Sequence, residues 1–195
     1  ETYTDDLTKI HSSGEHLLTL INDILDISKI EAGKMDLYLE DFELEKFISQ
    51  VISTAQPLVE KNRNKMVVEL DDSIGTLRND ETKLRQVLLN LLSNAAKFTE
   101  DGVVTLKVSK AARTSVKFEL SDTGIGMTPK QLKNAFEEFM QAETSTSKKY
   151  GGTGLGLPIS KKITEMMDGK IEIKSKAGEG TTFTITIPKT IKEKK

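Results

Sequence analysis

The 195-residue sequence contains no cysteine, which excludes disulfides and thiolate metal sites and suits a reducing compartment. It has only two histidines, His11 and His16, too few for a histidine-rich metal centre. No apolar run approaches the roughly 20 residues a bilayer span needs, and the first residues lack the basic, apolar and small-residue layout of a secretion signal. The expectation is a soluble, cytoplasmic chain without membrane contact of its own, within a parent protein that could be anchored elsewhere. Neither sign of charge prevails: the formal net charge is -2, and lysine and arginine are spread along the chain, so no basic stripe marks a nucleic-acid surface. What is present, 36% hydrophobic and 30% charged residues, fits one or two folded domains with real cores.

Leu7, Ile10, Gly14, Leu17, Ile21, Ile24 and Ser28 alternate three- and four-residue steps, a heptad seam widened by Leu18 and Leu25. This coiled-coil-like helix needs a partner helix, and nothing else in the chain offers a second long heptad. The seam therefore predicts pairing with another copy of the chain, a homodimer, together with a helix that precedes Glu1. The pattern stops at Gly33, a plausible C-cap. The predicted organisation is a helix over 1–33, a connector over 34–41, a second domain over 42–190 and a frayed basic tail over 191–195.

Within 42–60, Leu44, Phe47, Ile48, Val51, Ile52 and Ala55 mark an amphipathic helix that Pro57 is expected to bend or end. The segments 66–70, 103–109, 116–122, 171–174 and 181–187 are short, β-branched and bounded by turn residues, and they read as strands. Hairpin-like spacing favours antiparallel pairs over a doubly wound parallel sheet. The predicted fold is α+β, a two-layer sandwich with helices on one face of a mixed sheet.

The stretch 80–99 is central. Leu84, Val87, Leu88, Leu91, Leu92 and Ala95 form the apolar stripe of a helix, and Asn90, Asn94 and Lys97 follow a second, polar strip beside it. Asparagine is a poor helix-interior residue because its amide competes for backbone hydrogen bonds, so a pair one turn apart suggests a purpose beyond the helix. A solvated face that happens to carry two asparagines is the alternative.

Asp122, Gly124, Ile125 and Gly126 follow an apolar strand: an acceptor at a strand end beside backbone that can approach a flat ligand, or an ordinary Asp-Gly turn. Gly152, Thr153, Gly154, Leu155, Gly156 and Leu157 run into a helix predicted over 158–167, an arrangement suited to phosphate. The run matches neither a Walker A loop nor the dinucleotide GxGxxG. Between these motifs the polar segment 142–150 is a candidate lid, with Lys148 and Lys149 as phosphate-facing charges, or a surface loop. The turn 178–183, GEGTTF, leads into the last strand.

In order, Asn-x3-Asn-x2-Lys, DxGxG, GGTGLGL and GEGTTF resemble the N, G1, G2 and G3 boxes of the histidine-kinase catalytic domain, with Phe136 and Phe139 standing as its F box. The resemblance spans about residues 37–190 and implies the Bergerat-type ATP-binding fold shared with gyrase, Hsp90 and MutL. The seam helix resembles the second helix of the dimerisation and phosphoacceptor hairpin of hybrid-type sensor kinases.

The resemblance implies ATP and Mg²⁺ as cofactors, with a phosphoacceptor helix and a response-regulator receiver as partners. It implies Asn94 as the Mg²⁺ ligand, Lys97 on the phosphates and Asn90 at the metal-triphosphate end, the last two being the catalytic candidates. Asp122 is implied to read the adenine amine, with Gly124 and Gly126 letting the base lie close, residues 152–156 to wrap the phosphates, and Thr181 to meet the base through water.

The family's H box is absent: His11 and His16 stand in another context. The expectation is that the acceptor histidine precedes Glu1 and that this chain alone autophosphorylates poorly or not at all. Asn90 stands where the hydrolytic relatives place a general-base Glu, and an amide cannot take a proton at neutral pH. Three readings follow: a histidine protein kinase, an ATPase clamp of the gyrase/Hsp90 type, or a non-catalytic nucleotide-binding module.

Overall fold

A computed structural model describes residues 2–71, 74–112, 114–138 and 153–191. Helix α1 (Thr2–Glu31) ends in a Schellman cap: Gly33 takes φ +63°, its N–H reaches the Ile30 carbonyl at 3.0 Å, and the Lys34 N–H reaches that of Lys29 at 2.8 Å. Strand β1 (Glu40–Glu43) follows, then α2 (Leu44–Lys61), β2 (Lys65–Leu70), β3 (Thr76–Asn79) and α3 (Glu81–Phe98). The hairpin β4 (Val103–Ala112) and β5 (Ser115–Asp122) leads through the short α4 (Pro129–Lys133) to α5 (Gly156–Met166), β6 (Lys170–Lys176) and β7 (Gly180–Pro188). Residues 139–152, residues 192–195 of the predicted 191–195 tail and the side chain of His16 lie outside the described residues, whereas Ile191 is buried and its N–H reaches the Arg78 carbonyl at 3.2 Å.

The main sheet has the order β2-β4-β5-β7-β6; β2 runs parallel to β4 and every other pair is antiparallel. This is the mixed sheet expected from hairpin spacing. Strands β5 and β7 alternate buried and half-buried positions, so one face carries Val116, Phe118, Leu120, Phe183, Ile185 and Ile187 into the core. Helices α2, α3 and α5 cover that face. Leu84, Val87, Leu88, Leu91 and Leu92 of α3 are fully enclosed, which confirms the apolar stripe.

Two local features add to the sequence reading. The connector leads into a strand not read from the sequence: β1 pairs antiparallel with β3, placing Phe42 opposite Leu77 and tying the chain after α1 to the start of α3. Neither strand is longer than four residues, too short to show a period of two in sequence. Pro57 does not end α2, which continues to Lys61. Burial of Ala55 and Val59 on either side of the proline outweighs the backbone bond it cannot make to residue 53.

Candidate functional site

Helix α3 begins at Asp80, whose carboxylate accepts the Lys83 N–H at 2.9 Å as an N-cap and the Tyr38 N–H at 2.9 Å, anchoring the connector. At the other end, the Ile125 N–H donates to the Phe98 carbonyl at 3.1 Å, and a Cβ on Gly124 would stand 2.2 Å from that oxygen. On the side facing α5, Asn90 Nδ2 donates to Ser160 Oγ at 2.8 Å, and a Cβ on Gly156 would lie 2.3 Å from Asn90 Oδ1. The Asp122 loop and the glycine turn therefore meet α3 at positions 98 and 90, about 12 Å apart along its axis. Asn94 and Lys97 lie between them, both half-buried.

Asp122 is the last residue of β5 and only 8% exposed. Its carboxylate accepts the Gly124 N–H at 2.9 Å. Burial pushes its pKa above the ordinary Asp value, while the Gly124 and Thr181 N–H groups and the nearby Thr99 hydroxyl pull the other way. The Thr99 hydroxyl itself is enclosed and makes no well-formed hydrogen bond among the described residues.

The glycines here serve the chain's own packing. A Cβ on Gly126, at φ +62°, would stand 2.0 Å from the Lys176 carbonyl, and one on Gly180, at φ +97°, would stand 1.9 Å from the Asp122 carbonyl. The loop is thus pressed against α3 on one side and the β6–β7 turn on the other. Ile125, half exposed between them, is its outward apolar side chain. Thr181 is 7% exposed; its hydroxyl shares a 2.9 Å hydrogen bond with Ser175 Oγ, which accepts the Met127 N–H at 2.8 Å. Lys97 Nζ lies 4.8 Å over the Phe98 ring, and burial lowers its pKa.

In the glycine motif, Gly154 takes φ +72° and Leu155 is the N-cap of α5. Leu155 is fully buried, so its offering to a ligand is backbone, and its N–H is taken by Thr153 Oγ1 at 3.1 Å. Leu157 packs against the core. Thr153 Oγ1 also donates to Asp23 Oδ2 of α1 at 2.8 Å. Gly152, Lys148, Lys149, Phe139 and the predicted lid at 142–150 lie outside the described residues, whereas Phe136 packs against the core under Lys161.

Three residues enter the site without having been singled out in sequence. Ser160 carries a signal, a polar residue on the apolar side of the α5 helix four positions after Gly156. Thr99 and Asp23 carry none. The Asp23 contact spans 130 residues, and the Thr99 hydroxyl matters only because the Asp122 loop folds onto it.

The family of histidine kinase-, DNA gyrase B- and HSP90-like ATPases matches residues 79–191, from the last residue of β3 to the end of the described chain. The chain belongs to this family. Among its relatives is the circadian input-output histidine kinase CikA of Synechococcus elongatus, 44% identical over 182 residues, which are 92% of this chain and 24% of CikA. Among solved structures, full-length ShkA in complex with AMPPNP has a TM-score of 0.84 and 31% identity, covering 98% of this chain and 40% of ShkA. The histidine kinase ThkA, solved with the response regulator protein TrrA, shares the fold at a TM-score of 0.74 and 24% identity over 97% of this chain and 52% of that one.

The chain spans less than a quarter of the curated relatives' length. With this fold and these relatives it is an ATP-binding catalytic domain of the histidine-kinase type.

Proposed function

We propose that this domain binds ATP with Mg²⁺ and passes the γ-phosphoryl group to a histidine of a dimerisation hairpin, for relay to a response-regulator aspartate. The observation that carries the reading is the convergence on α3. A buried carboxylate loop and a glycine turn touch one helix about 12 Å apart, with an amide and an ammonium between them.

Each residue then has a role its chemistry allows. Asp122 accepts from an exocyclic amine, its own geometry fixed by the Gly124 N–H. Lys97 lies on the α3 strip that leads from the base site towards the glycine turn, as a phosphate contact requires. Asn94 offers one neutral amide oxygen. Among the described residues no group of three or more His, Cys, Asp or Glu side chains could hold a metal ion. That donor set fits a cation held by a single side-chain oxygen, water and phosphate, as Mg²⁺ is. When bound, Mg²⁺ supplies charge neutralisation on the transferring group. Gly154 and the turn into α5 supply backbone N–H groups at a helix N-terminus.

Asn90 supports transfer over hydrolysis. Its carboxamide is seated between Ser160 and Gly156 and has no basic site to activate water. The partners follow from the same reading: a second copy through α1, a phosphoacceptor helix and a receiver domain, a partner kind with which ThkA was solved.

The test is incubation with Mg²⁺-ATP in the presence and absence of a histidine-bearing hairpin peptide. Acid-labile phosphate on the peptide, with little on the domain itself, is the expected result. Phosphate release to water without transfer, or no nucleotide binding by calorimetry on folded material, overturns the reading.

A further inference from the structure

Helix α1 has two halves of different character. Leu7, Ile10, Leu17 and Leu18 are each more than half exposed, whereas Ile27 is 7% exposed and seated in the core with Ile30 against it. Polar contacts surround that seat. Asp26 Oδ2 accepts from Gln86 Nε2 at 2.8 Å and lies 3.7 Å from Lys83 Nζ, both on α3. Lys162 of α5 bridges Glu31 at 3.2 Å and Glu138 at 2.9 Å. Asp23, one turn before Ile27, reaches past these to Thr153 in the glycine motif.

The Thr153 hydroxyl has one proton to give. It gives it to Asp23 and receives the Leu155 N–H, so one donor of the glycine turn is committed to α1 and a second to the hydroxyl that makes that contact. The acceptor is a carboxylate, half-buried at the mouth of a motif built to receive phosphate. A phosphate oxygen arriving at this turn needs the same hydroxyl proton and meets a like charge there.

We infer that Asp23 is a positioning residue that sets how the glycine turn receives a triphosphate: its hydrogen bond to Thr153 and triphosphate binding at that turn exclude one another. The inference rests on the nucleotide reading above and adds a coupling to it. Coupling is reciprocal. Docking of the lower half of α1 lowers affinity for triphosphate, and triphosphate loosens the hold of α1 at Thr153. Ligands that lack phosphates are indifferent to Asp23.

The experiment compares the parent chain with Asp23→Asn, Asp23→Ala and Thr153→Val, titrating each by calorimetry with Mg²⁺-AMPPNP and, separately, with adenosine. Asp23→Asn keeps a neutral acceptor for the hydroxyl and removes the charge; Asp23→Ala removes both. Expected are a roughly fivefold tighter Mg²⁺-AMPPNP affinity in Asp23→Asn and about tenfold in Asp23→Ala, at the lower end of the range of coupling energies, with adenosine affinity unchanged. In a Thr153→Val background, Asp23→Asn should keep only a charge effect, a smaller gain than in the parent. Hydrogen exchange of residues 20–31 should rise on adding Mg²⁺-AMPPNP to the parent.

Parent-like affinity for Mg²⁺-AMPPNP in both Asp23 variants, with melting temperatures unchanged, overturns the inference and leaves the nucleotide site standing. An equal gain for adenosine also overturns it, since the effect would then be general loosening. A parent that binds neither ligand overturns both readings together.

Discussion

Asn90 of α3 and Ser160 of α5 are joined side chain to side chain at 2.8 Å, with Gly156 pressed against the same carboxamide. This contact makes the polar strip of α3 part of the wall of the glycine turn. Gly156→Ala would push a methyl to within 2.3 Å of Asn90 Oδ1, so the carboxamide must move and give up Ser160. The expected cost is about 1 to 3 kcal/mol in urea unfolding, with a fall in nucleotide affinity. Ser160→Ala removes the bond without the clash and should cost about 1 kcal/mol. Equal stability of Gly156→Ala and the parent would show that the contact carries no load.

Asp122 gives the domain a pH signature. Its pKa is raised above the ordinary 3.8 chiefly by burial, so folding increases its affinity for a proton. Between the ordinary and the raised value, the folded chain holds a proton that the unfolded chain has released. The contribution of this group to stability is therefore fully present below about 3.8 and declines as pH rises through the raised value. Asp122→Asn should remove that decline. The check is the difference in unfolding free energy between parent and variant across the acid range, where the variant should gain on the parent as pH rises. In nucleotide titrations, Asp122→Ala should lose adenine binding while remaining folded.

Two glycines should respond oppositely to the same substitution. At Gly180, φ +97° and a Cβ position 1.9 Å from the Asp122 carbonyl make alanine incompatible with the backbone path. Gly180→Ala is expected to cost roughly 3 kcal/mol or more and to shift the Asp122 loop. A Cβ on Gly14, inside α1, would meet nothing within 4 Å. Gly14→Ala should stabilise that helix by roughly 0.5 to 1 kcal/mol. Thermal unfolding followed by circular dichroism separates the two.

The seam of α1 predicts self-association without a role in the sandwich. Leu17 and Ile24 are 58% and 48% exposed, so Leu17→Glu with Ile24→Glu should leave the unfolding of the catalytic body within about 0.5 kcal/mol of the parent. Sedimentation equilibrium should show weaker dimerisation in the double variant. Unchanged association would place the contact between copies elsewhere.

The sequence made the layers and motif order legible because they rest on local period and composition. Leu84, Leu88 and Leu91 repeat every three or four residues, and β4 and β5 are long enough to alternate. Gly33 was legible for a similar reason: one residue type at one place, where the chain needs a positive φ. What escaped reading depends on chain segments meeting. Strands β1 and β3 have four residues each, so only their pairing defines them. The glycines of the Asp122 loop were legible as required but not as to what they approach, because Phe98 and Lys176 enter from other elements. The ties of Asp23 to Thr153 and of Asn90 to Ser160 are side-chain pairs at separations of 130 and 70 residues, beyond any local signal.

Strand β7, last of the strands in sequence, lies between β5 and β6. During synthesis the sheet therefore has a gap between β5 and the edge strand β6 until 180–188 has left the ribosome, and the acidic end of β5 lacks its pairing neighbour. A nascent chain stopped before Gly180 would carry every motif but the final turn and still present no closed pocket. Competence to take up ligand should thus arrive late and abruptly, which a series of stalled chains of increasing length would display as one step.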